Sequence, residues 1–331
     1  MRVVTLEEHF TVPELVGRLD PAAVERRGFP PPGTPWGPMR QADRLAELGS
    51  VRLADMDRAG ISLQVLSVSG PGADVLAPDQ GPAMARAFND ALARVVAERP
   101  GRYRGFAHLP MTAPEAAADE LERCMTQLGF CGALINGMIE DRFLDDPRFA
   151  PLLARAEKLD APIYLHPGIP PEAVRNAYYS GLTDVFNFML STSAWGWHAE
   201  VAVHVLRLAL SGTLDRYPRL QLIIGHMGEG LPAMLARCDQ VTARAPAGML
   251  ARSLSQTILE HVHVTTSGFF SLAPFEVLLH TFGADRIMFS VDYPFSENTA
   301  GRAFLDGLPV SPSDWLKIAH GNADRLLRLN T

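Results

Sequence analysis

Pro162-Ile-Tyr-Leu-His166-Pro167-Gly168 is a short apolar run that ends in a histidine and is closed by Pro-Gly. A run of this length bounded by breakers reads as a buried strand. The same design recurs downstream. Leu220-Gln-Leu-Ile-Ile-Gly225-His226 ends in a histidine between glycines, and Arg286-Ile-Met-Phe-Ser-Val291 ends at Asp292-Tyr-Pro. Upstream, Val3 to Leu6 stops abruptly at Glu7-Glu8-His9-Phe10. Between these lie four more strand-like runs: Ile61–Val68, Gly105–Leu109, Gly132–Asn136 and His261–Thr266.

Helical patterns separate the runs. Val51 to Ala59 stops at Gly60, Pro82 to Glu98 carries apolar residues at Met84, Phe88, Leu92 and Val95, and Ala113 to Leu128 stops at Gly129. Arg148–Leu159, Glu200–Ser211 and a closing Ser313–Leu327 follow. Strands alternating with helices predict an α/β fold with a parallel sheet. Eight such units predict a (β/α)₈ TIM barrel, with a doubly wound open sheet as the alternative. The expected organisation is one barrel domain over 1–331, with a proline-rich loop insertion at 28–39 and an aromatic-rich insertion at 169–197.

Composition narrows the functional classes. The chain has 331 residues, 47% of them hydrophobic and 20% charged, a globular balance with ample core material. The net charge of −7 offers no basic field for a phosphate backbone, so no nucleic-acid partner is expected. No apolar stretch approaches the length of a membrane span, and Met1-Arg-Val-Val-Thr-Leu-Glu-Glu-His shows no signal peptide. Cys124, Cys131 and Cys238 are too few for a disulfide framework. A cytoplasmic protein is expected, with no membrane partner.

In a parallel barrel all strand carboxyl ends point to one face. Glu7, His9, His166, His226 and Asp292 would then converge. Glu7 and His9 are two apart, so on extended backbone both face one way and can reach one cation. Imidazole and carboxylate donors suit zinc, manganese or iron. Any one of these histidines alone reads as a hydrogen-bonded structural residue; the joint pattern at four of eight strand ends carries the argument. His108, His261 and His263 could point into the barrel, His204, His280 and His320 read as packing or surface residues, and His198 sits near Glu200 by the aromatic insertion.

Glu7-Glu-His-Phe10, Tyr164-Leu-His-Pro167, Gly225-His-Met-Gly-Glu229 and Phe289-Ser-Val-Asp-Tyr-Pro-Phe295 resemble the amidohydrolase-related decarboxylases. Ala133–Gly137, Val203–Leu208 and Thr265–Gly268 are similar to its γ-resorcylate branch, and the resemblance runs through the whole chain. It implies a distorted barrel holding one divalent metal (Zn²⁺ or Mn²⁺, with Mg²⁺ open) and no organic cofactor. Glu7, His9, His166 and Asp292 match the metal ligands, and His226 and Glu229 the pair beside the metal. Asn136 matches a pocket residue, Phe10 a neighbouring wall, and Arg237 an arginine at a subunit interface close to the next active site. A homodimer or homotetramer is implied.

The chain departs from the branch around the substrate. Pro167-Gly-Ile-Pro-Pro171 lacks an arginine usual two residues after the histidine, Ser191–His198 replaces a Gly-Pro-Thr-Trp type of stretch, and Ser296 stands where Glu often follows Pro-Phe. Trp195, Trp197 and His198 are therefore candidate substrate contacts. The implied reaction is non-oxidative decarboxylation of a hydroxylated aromatic carboxylic acid. Asp292 would donate the proton, with His226 and Glu229 assisting. Alternatives are a mononuclear metal hydrolase of a lactone, amide or ester, a hydratase, and a non-catalytic binding protein on a degraded barrel.

Overall fold

The chain's structure is a computed structural model that describes residues 1–31, 34 and 41–329. Most of the expected 28–39 loop lies outside the described residues. The described residues form nine strand segments: β1 Val4–Phe10, β2 Leu63–Val68, β3 Tyr103–Gly105, β4 Ala107–His108, β5 Ala133–Asn136, β6 Ile163–His166, β7 Leu222–Ile224, β8 Val262–Thr265 and β9 Ile287–Met288. They form two all-parallel pieces, β1-β2-β3 and β4-β5-β6-β7-β8-β9, in sequence order. β3 and β4 are one expected strand broken at Phe106, whose amide donates to Leu66 O at 2.9 Å and carries the ladder across the break. On the other side a parallel bridge joins Glu8 to Tyr293, and the His9 amide donates to Tyr293 O at 2.7 Å. The order of eight units closed at both seams is the expected barrel.

The helices follow from their spacing. Gly81–Glu98 has proline in its first turn and buries Ala85, Phe88, Leu92 and Val96, a stripe at helical period. Ser50–Ala59 ends because Gly60 takes φ 65°, the left-handed conformation that closes a helix. The core lies mainly between sheet and helices, in a continuous cluster that includes Phe88, Leu121, Leu152, Val205, Ile258 and Leu278. A smaller cluster of Val4, Leu6, Val65, Phe106, Leu134, Ile223 and Met288 draws on successive strands, as barrel-filling layers do. Cys124 and Cys131 are buried free thiols, and burial pushes Cys131 up to about 12.

Several boundaries differ from expectation. β1 runs on to Phe10 instead of ending at Leu6, so Glu7 and His9 sit within a strand. The segment 169–197 contains a helix, Asp184–Ser191, and the next helix, Gly196–Leu210, begins inside it. Trp197 and His198 are thus first-turn helical residues. The closing helix is three pieces, Pro312–Leu316, a π-turn at Lys317–Gly321 and Asn322–Leu326. Among the described residues no helix is long and apolar enough to cross a membrane.

Candidate active site

β1 supplies the first two groups. Its register against β2 shifts between Thr5 and Glu8, an irregularity that falls where Glu7 sits. Glu7 and His9 turn to the barrel interior, and Glu8 turns to the opposite side. There Glu8 accepts from Ser290 Oγ (3.1 Å), Val291 N (3.0 Å) and Tyr293 N (3.1 Å). Burial pushes Glu8 up to about 7, against the pull of those amides and of Arg52. Fully buried Arg52 also donates to His9 O (2.7 Å) and Gln64 Oε1 (2.8 Å), tying β1 to β2.

The strand ends supply the rest. His166 Nε2 lies 3.2 Å from Glu7 Oε1, and His9 Nε2 lies 3.2 Å from Asp292 Oδ1. His226 Nε2 is 3.8 Å from Glu7 Oε1 and 3.9 Å from Asp292 Oδ2. Asn136 pairs with His166 across β5 and β6 and lines the same cavity. Gly225 leaves room for the cluster: a Cβ there would stand 2.7 Å from Glu7 Oε2. His226, Met227, Glu229 and Asp292 all take positive φ, from 47° to 68°. Four non-glycine residues held there are strained backbone of the kind found at functional sites.

Tautomers follow from the outer contacts. His166 Nδ1 donates to Pro167 O at 2.8 Å, which leaves the Nε2 lone pair facing Glu7. His9 Nδ1 meets Ser67 Oγ at 3.2 Å. Two buried atoms aimed into this cluster, Glu7 Oε1 and His9 Nε2, have no hydrogen-bond partner among the described residues. Orphaned buried donors and acceptors are rare, and a cation satisfies both a carboxylate oxygen and an imidazole lone pair. Glu7, His9 and His166 present one ligand atom each, all within 4.8 Å of one another. With Asp292 beside His9, this donor set fits a divalent metal.

Burial would raise Glu7, but the protonated His226 ring, foremost among its neighbours, outweighs it and holds the carboxyl well below its usual range. Tyr164, missed in the sequence, donates its hydroxyl to Glu7 Oε2 in a very short hydrogen bond and meets Thr265 Oγ1 at 2.8 Å. Burial and the Glu7 charge hold that phenol well above its normal value, so it keeps its proton. Its one sequence signal is position: it lies two before His166 on a strand. Burial would lower His226, but Glu229, Glu7 and Asp292 outweigh it and keep the ring protonated well above its usual range.

Glu229 is buried and bridges two imidazoles. Its Oε1 meets His226 Nδ1 at 2.8 Å and its Oε2 makes a very short contact with His198 Nδ1. Burial would raise this carboxyl; His226 and His198 reverse that and lower it. The other His198 nitrogen meets Ser193 O at 2.9 Å.

All of this opens into a cavity of about 950 Å³. Trp195, Trp197, His198, Phe269 and Phe295 line it; Trp195 is 59% exposed, whereas the Trp197 indole N–H is buried without a partner. Arg27, for which the sequence held no signal, also lines it and donates to Ile169 O (2.6 Å) and Met138 O (2.9 Å).

Two expected residues stand elsewhere. Phe10 is a core residue packed away from the cavity, because strand alternation turns it opposite to His9. This corrects its expected place as a pocket wall. Arg237 is exposed on the helix Leu231–Thr242 and does not line its own chain's cavity. Three further histidines are structural. His108 Nε2 accepts from Ala73 N, His204 Nε2 accepts from Leu144 N, and His261 Nδ1 donates to Leu220 O.

A barrel with histidines and carboxylates gathered at its strand ends is the architecture of a metal-dependent hydrolase-type scaffold, and the comparisons agree. The chain belongs to the amidohydrolase family, whose pattern matches residues 8–329. It is 38% identical to the γ-resorcylate decarboxylase of Rhodococcus jostii (strain RHA1) over 341 aligned positions, covering 99% of this chain and 98% of that one. The solved structure of 2,6-dihydroxybenzoate decarboxylase complexed with 2,6-dihydroxybenzoate superposes with a TM-score of 0.87 at 36% identity, covering 99% of both chains. A dihydroxybenzoic acid decarboxylase from Polaromonas sp. JS666, solved with bound manganese and the inhibitor 2-nitroresorcinol, gives 0.87 at 36% identity over 99% and 97%. The resemblance to the γ-resorcylate branch is borne out.

Proposed function

We propose that this chain is a metal-dependent, non-oxidative decarboxylase of a hydroxylated aromatic acid. The observation that carries the metal site is the pair of orphaned buried atoms, Glu7 Oε1 and His9 Nε2, facing His166 and Asp292. Glu7, His9, His166 and Asp292 would hold one divalent ion. Two imidazoles and two carboxylates suit manganese or zinc, and the manganese bound in the Polaromonas enzyme favours the former. When bound, the ion supplies Lewis-acid charge neutralisation to the acid's carboxylate and neighbouring oxygen.

The protein's own groups do the rest. Trp197, Phe269 and Phe295 offer flat apolar surface for the ring. Direct loss of CO₂ from an arene would leave an aryl anion, so the ring carbon must take a proton before the bond to the carboxyl breaks. Asp292, 16% exposed at its side chain and aimed into the cavity, is placed to deliver that proton. The new C–H bond forms at the carbon bearing the carboxyl, the C–C bond breaks, and its electron pair restores the aromatic ring. His226, protonated and oriented by Glu229, hydrogen-bonds the acid.

The full-length relatives are decarboxylases, which favours loss of CO₂ over hydrolysis on the same scaffold. Exposed Phe186, Met189, Leu190, Trp195 and Met234 support a homo-oligomer, and a cytoplasmic setting fits the buried free thiols. The test is metal analysis of the purified protein combined with CO₂ release from a panel of dihydroxybenzoates. One equivalent of divalent metal and stoichiometric CO₂ are expected. Product formation that consumes water without releasing CO₂ would overturn the assignment.

A further inference from the structure

The barrel has a second recess, of about 620 Å³, at the end opposite the candidate active site. Its walls come from the amino-terminal ends of β6, β7, β8 and β9, at Pro162, Gln221, His263 and Arg286, and from the chain's last helical segment. Four arginines line it, Arg219, Arg286, Arg325 and Arg328, against two aspartates, Asp160 and Asp285. Both aspartates are already engaged: Asp160 pairs with Arg328 at 2.9 Å and Asp285 with Lys317 at 2.9 Å. Among the described residues, Arg286 and Arg325 have no carboxylate within 4.0 Å. Their hydrogen bonds go to neutral acceptors, Arg286 to Gln221 Oε1 (3.1 Å) and His263 Nε2 (3.0 Å), Arg325 to Asn322 Oδ1 (2.8 Å) and Asp285 O (3.1 Å).

His263 positions Arg286. A guanidinium can only donate, so the Nε2 that receives Arg286 carries the lone pair and the proton sits on Nδ1. That Nδ1 is buried and has no partner. Burial and the two guanidiniums push His263 down to about 3, so the ring is neutral and adds no charge to the recess; its Nε2 holds Arg286 in place. Two half-buried to exposed guanidiniums crowd one another here; burial and Arg325 together lower Arg286. Glu260 and Asp285 act on Arg286 only from beyond 4.0 Å, and an oxyanion can pair with it directly, because the planar guanidinium fork matches paired oxygens.

We propose that this recess, built around Arg286 and Arg325 with His263 orienting the first, binds a small oxyanion of the phosphate class with at least two negative charges. Its volume exceeds that of orthophosphate alone and admits a small phosphomonoester. The site stands clear of the catalytic cavity by the length of the barrel strands, so occupancy leaves CO₂ release intact.

Calorimetric titration of the metal-loaded protein at low ionic strength tests this, with inorganic phosphate, glycerol phosphate and chloride as separate titrants. Saturable binding of phosphate or glycerol phosphate is expected, and the tighter of the two tells free from esterified phosphate. R286Q and R325Q should each weaken it at least about tenfold while keeping wild-type CO₂ release. Arg325 is exposed, so R325Q keeps the test informative if R286Q disturbs the fold. Unchanged affinity in R325Q, or a curve that chloride reproduces at equal ionic strength, would overturn the proposal.

Discussion

Replacing Glu200 with glutamine should stabilise the protein above neutral pH and do nothing in acid. Glu200 lies on the helix Gly196–Leu210, 8% exposed, and both carboxylate oxygens are buried without a hydrogen-bond partner. Burial pushes the carboxyl from 4.5 up to about 7, although the charge of Arg27 pulls the other way. A carboxyl raised in the folded state holds its proton more tightly than in the unfolded chain. Between pH 4.5 and 7 the folded protein therefore binds more protons, and stability falls as pH rises through that window. The full loss, reached above pH 7, is about 3 kcal/mol at 1.36 kcal/mol per tenfold. For 331 residues that corresponds to roughly 4 °C in Tm. Glutamine keeps the shape and removes the charge. Thermal melts of E200Q and wild type should coincide near pH 4.5 and separate to roughly 4 °C at pH 8, with E200Q the more stable. Glu8 titrates in the same range, but it is present in both proteins and cancels in the difference. Parallel curves from pH 5 to 8.5, or a less stable E200Q at pH 8, would refute the reasoning and show Glu200 working as an anion beside Arg27.

The other predictions concern the cavity. H166A removes a lone pair fixed by the Pro167 carbonyl, so bound divalent metal after dialysis should fall well below one per chain. H226N should keep its metal yet lose about 10²–10⁴ in turnover, because the ring lies beyond 3.5 Å from Glu7 and Asp292 and acts on the substrate; complete metal loss would make it a ligand instead. Alanine at Trp195, Trp197 or His198 should change the ranking of hydroxybenzoates by about 1–3 kcal/mol in kcat/KM. A uniform fall for every acid with dissociation of the oligomer would place these residues at a subunit contact.

What the sequence made legible was periodic or local. Strand runs closed by Pro-Gly or by an acid, and the two-residue step from Glu7 to His9, are patterns within a few positions, and they place four groups on one barrel face. What escaped depends on partners far along the chain. β1 continues to Phe10 because Ser290, Val291 and Tyr293 bond to Glu8 across more than 280 residues, a pairing no local window contains. Phe10 follows from that continuation: once the strand extends, alternation sends it into the core. Trp197 and His198 begin a helix although Gly196 is a poor helix former, since the helix's buried face of Val201, Val205 and Leu208 sets its course. Tyr164 and Arg27 join the cluster only when Glu7 and the Ile169 loop arrive beside them.

The pair Glu7-Glu8 shows how adjacent like residues divide the labour of one site. Both are fully buried acids, two carboxylates that repulsion alone would keep apart. The strand sends them to opposite faces, so each meets a different set of donors. Glu7 faces His226 and the Tyr164 hydroxyl, both of which favour its anion. Glu8 gathers the amides of Val291 and Tyr293, the two residues on either side of Asp292. Asp292 is held at φ 68°, a conformation that costs a non-glycine residue on the order of 1–3 kcal/mol. Two charge-receptive hydrogen bonds flanking it supply a comparable restoring force, at about 1.5–3 kcal/mol each when the acceptor is ionised. The outward acid therefore fixes the loop that carries Asp292, while the inward acid and Asp292 both lie within 4.0 Å of His226 Nε2. One strand thus sets the separation between the two carboxylates on which the proposed site depends.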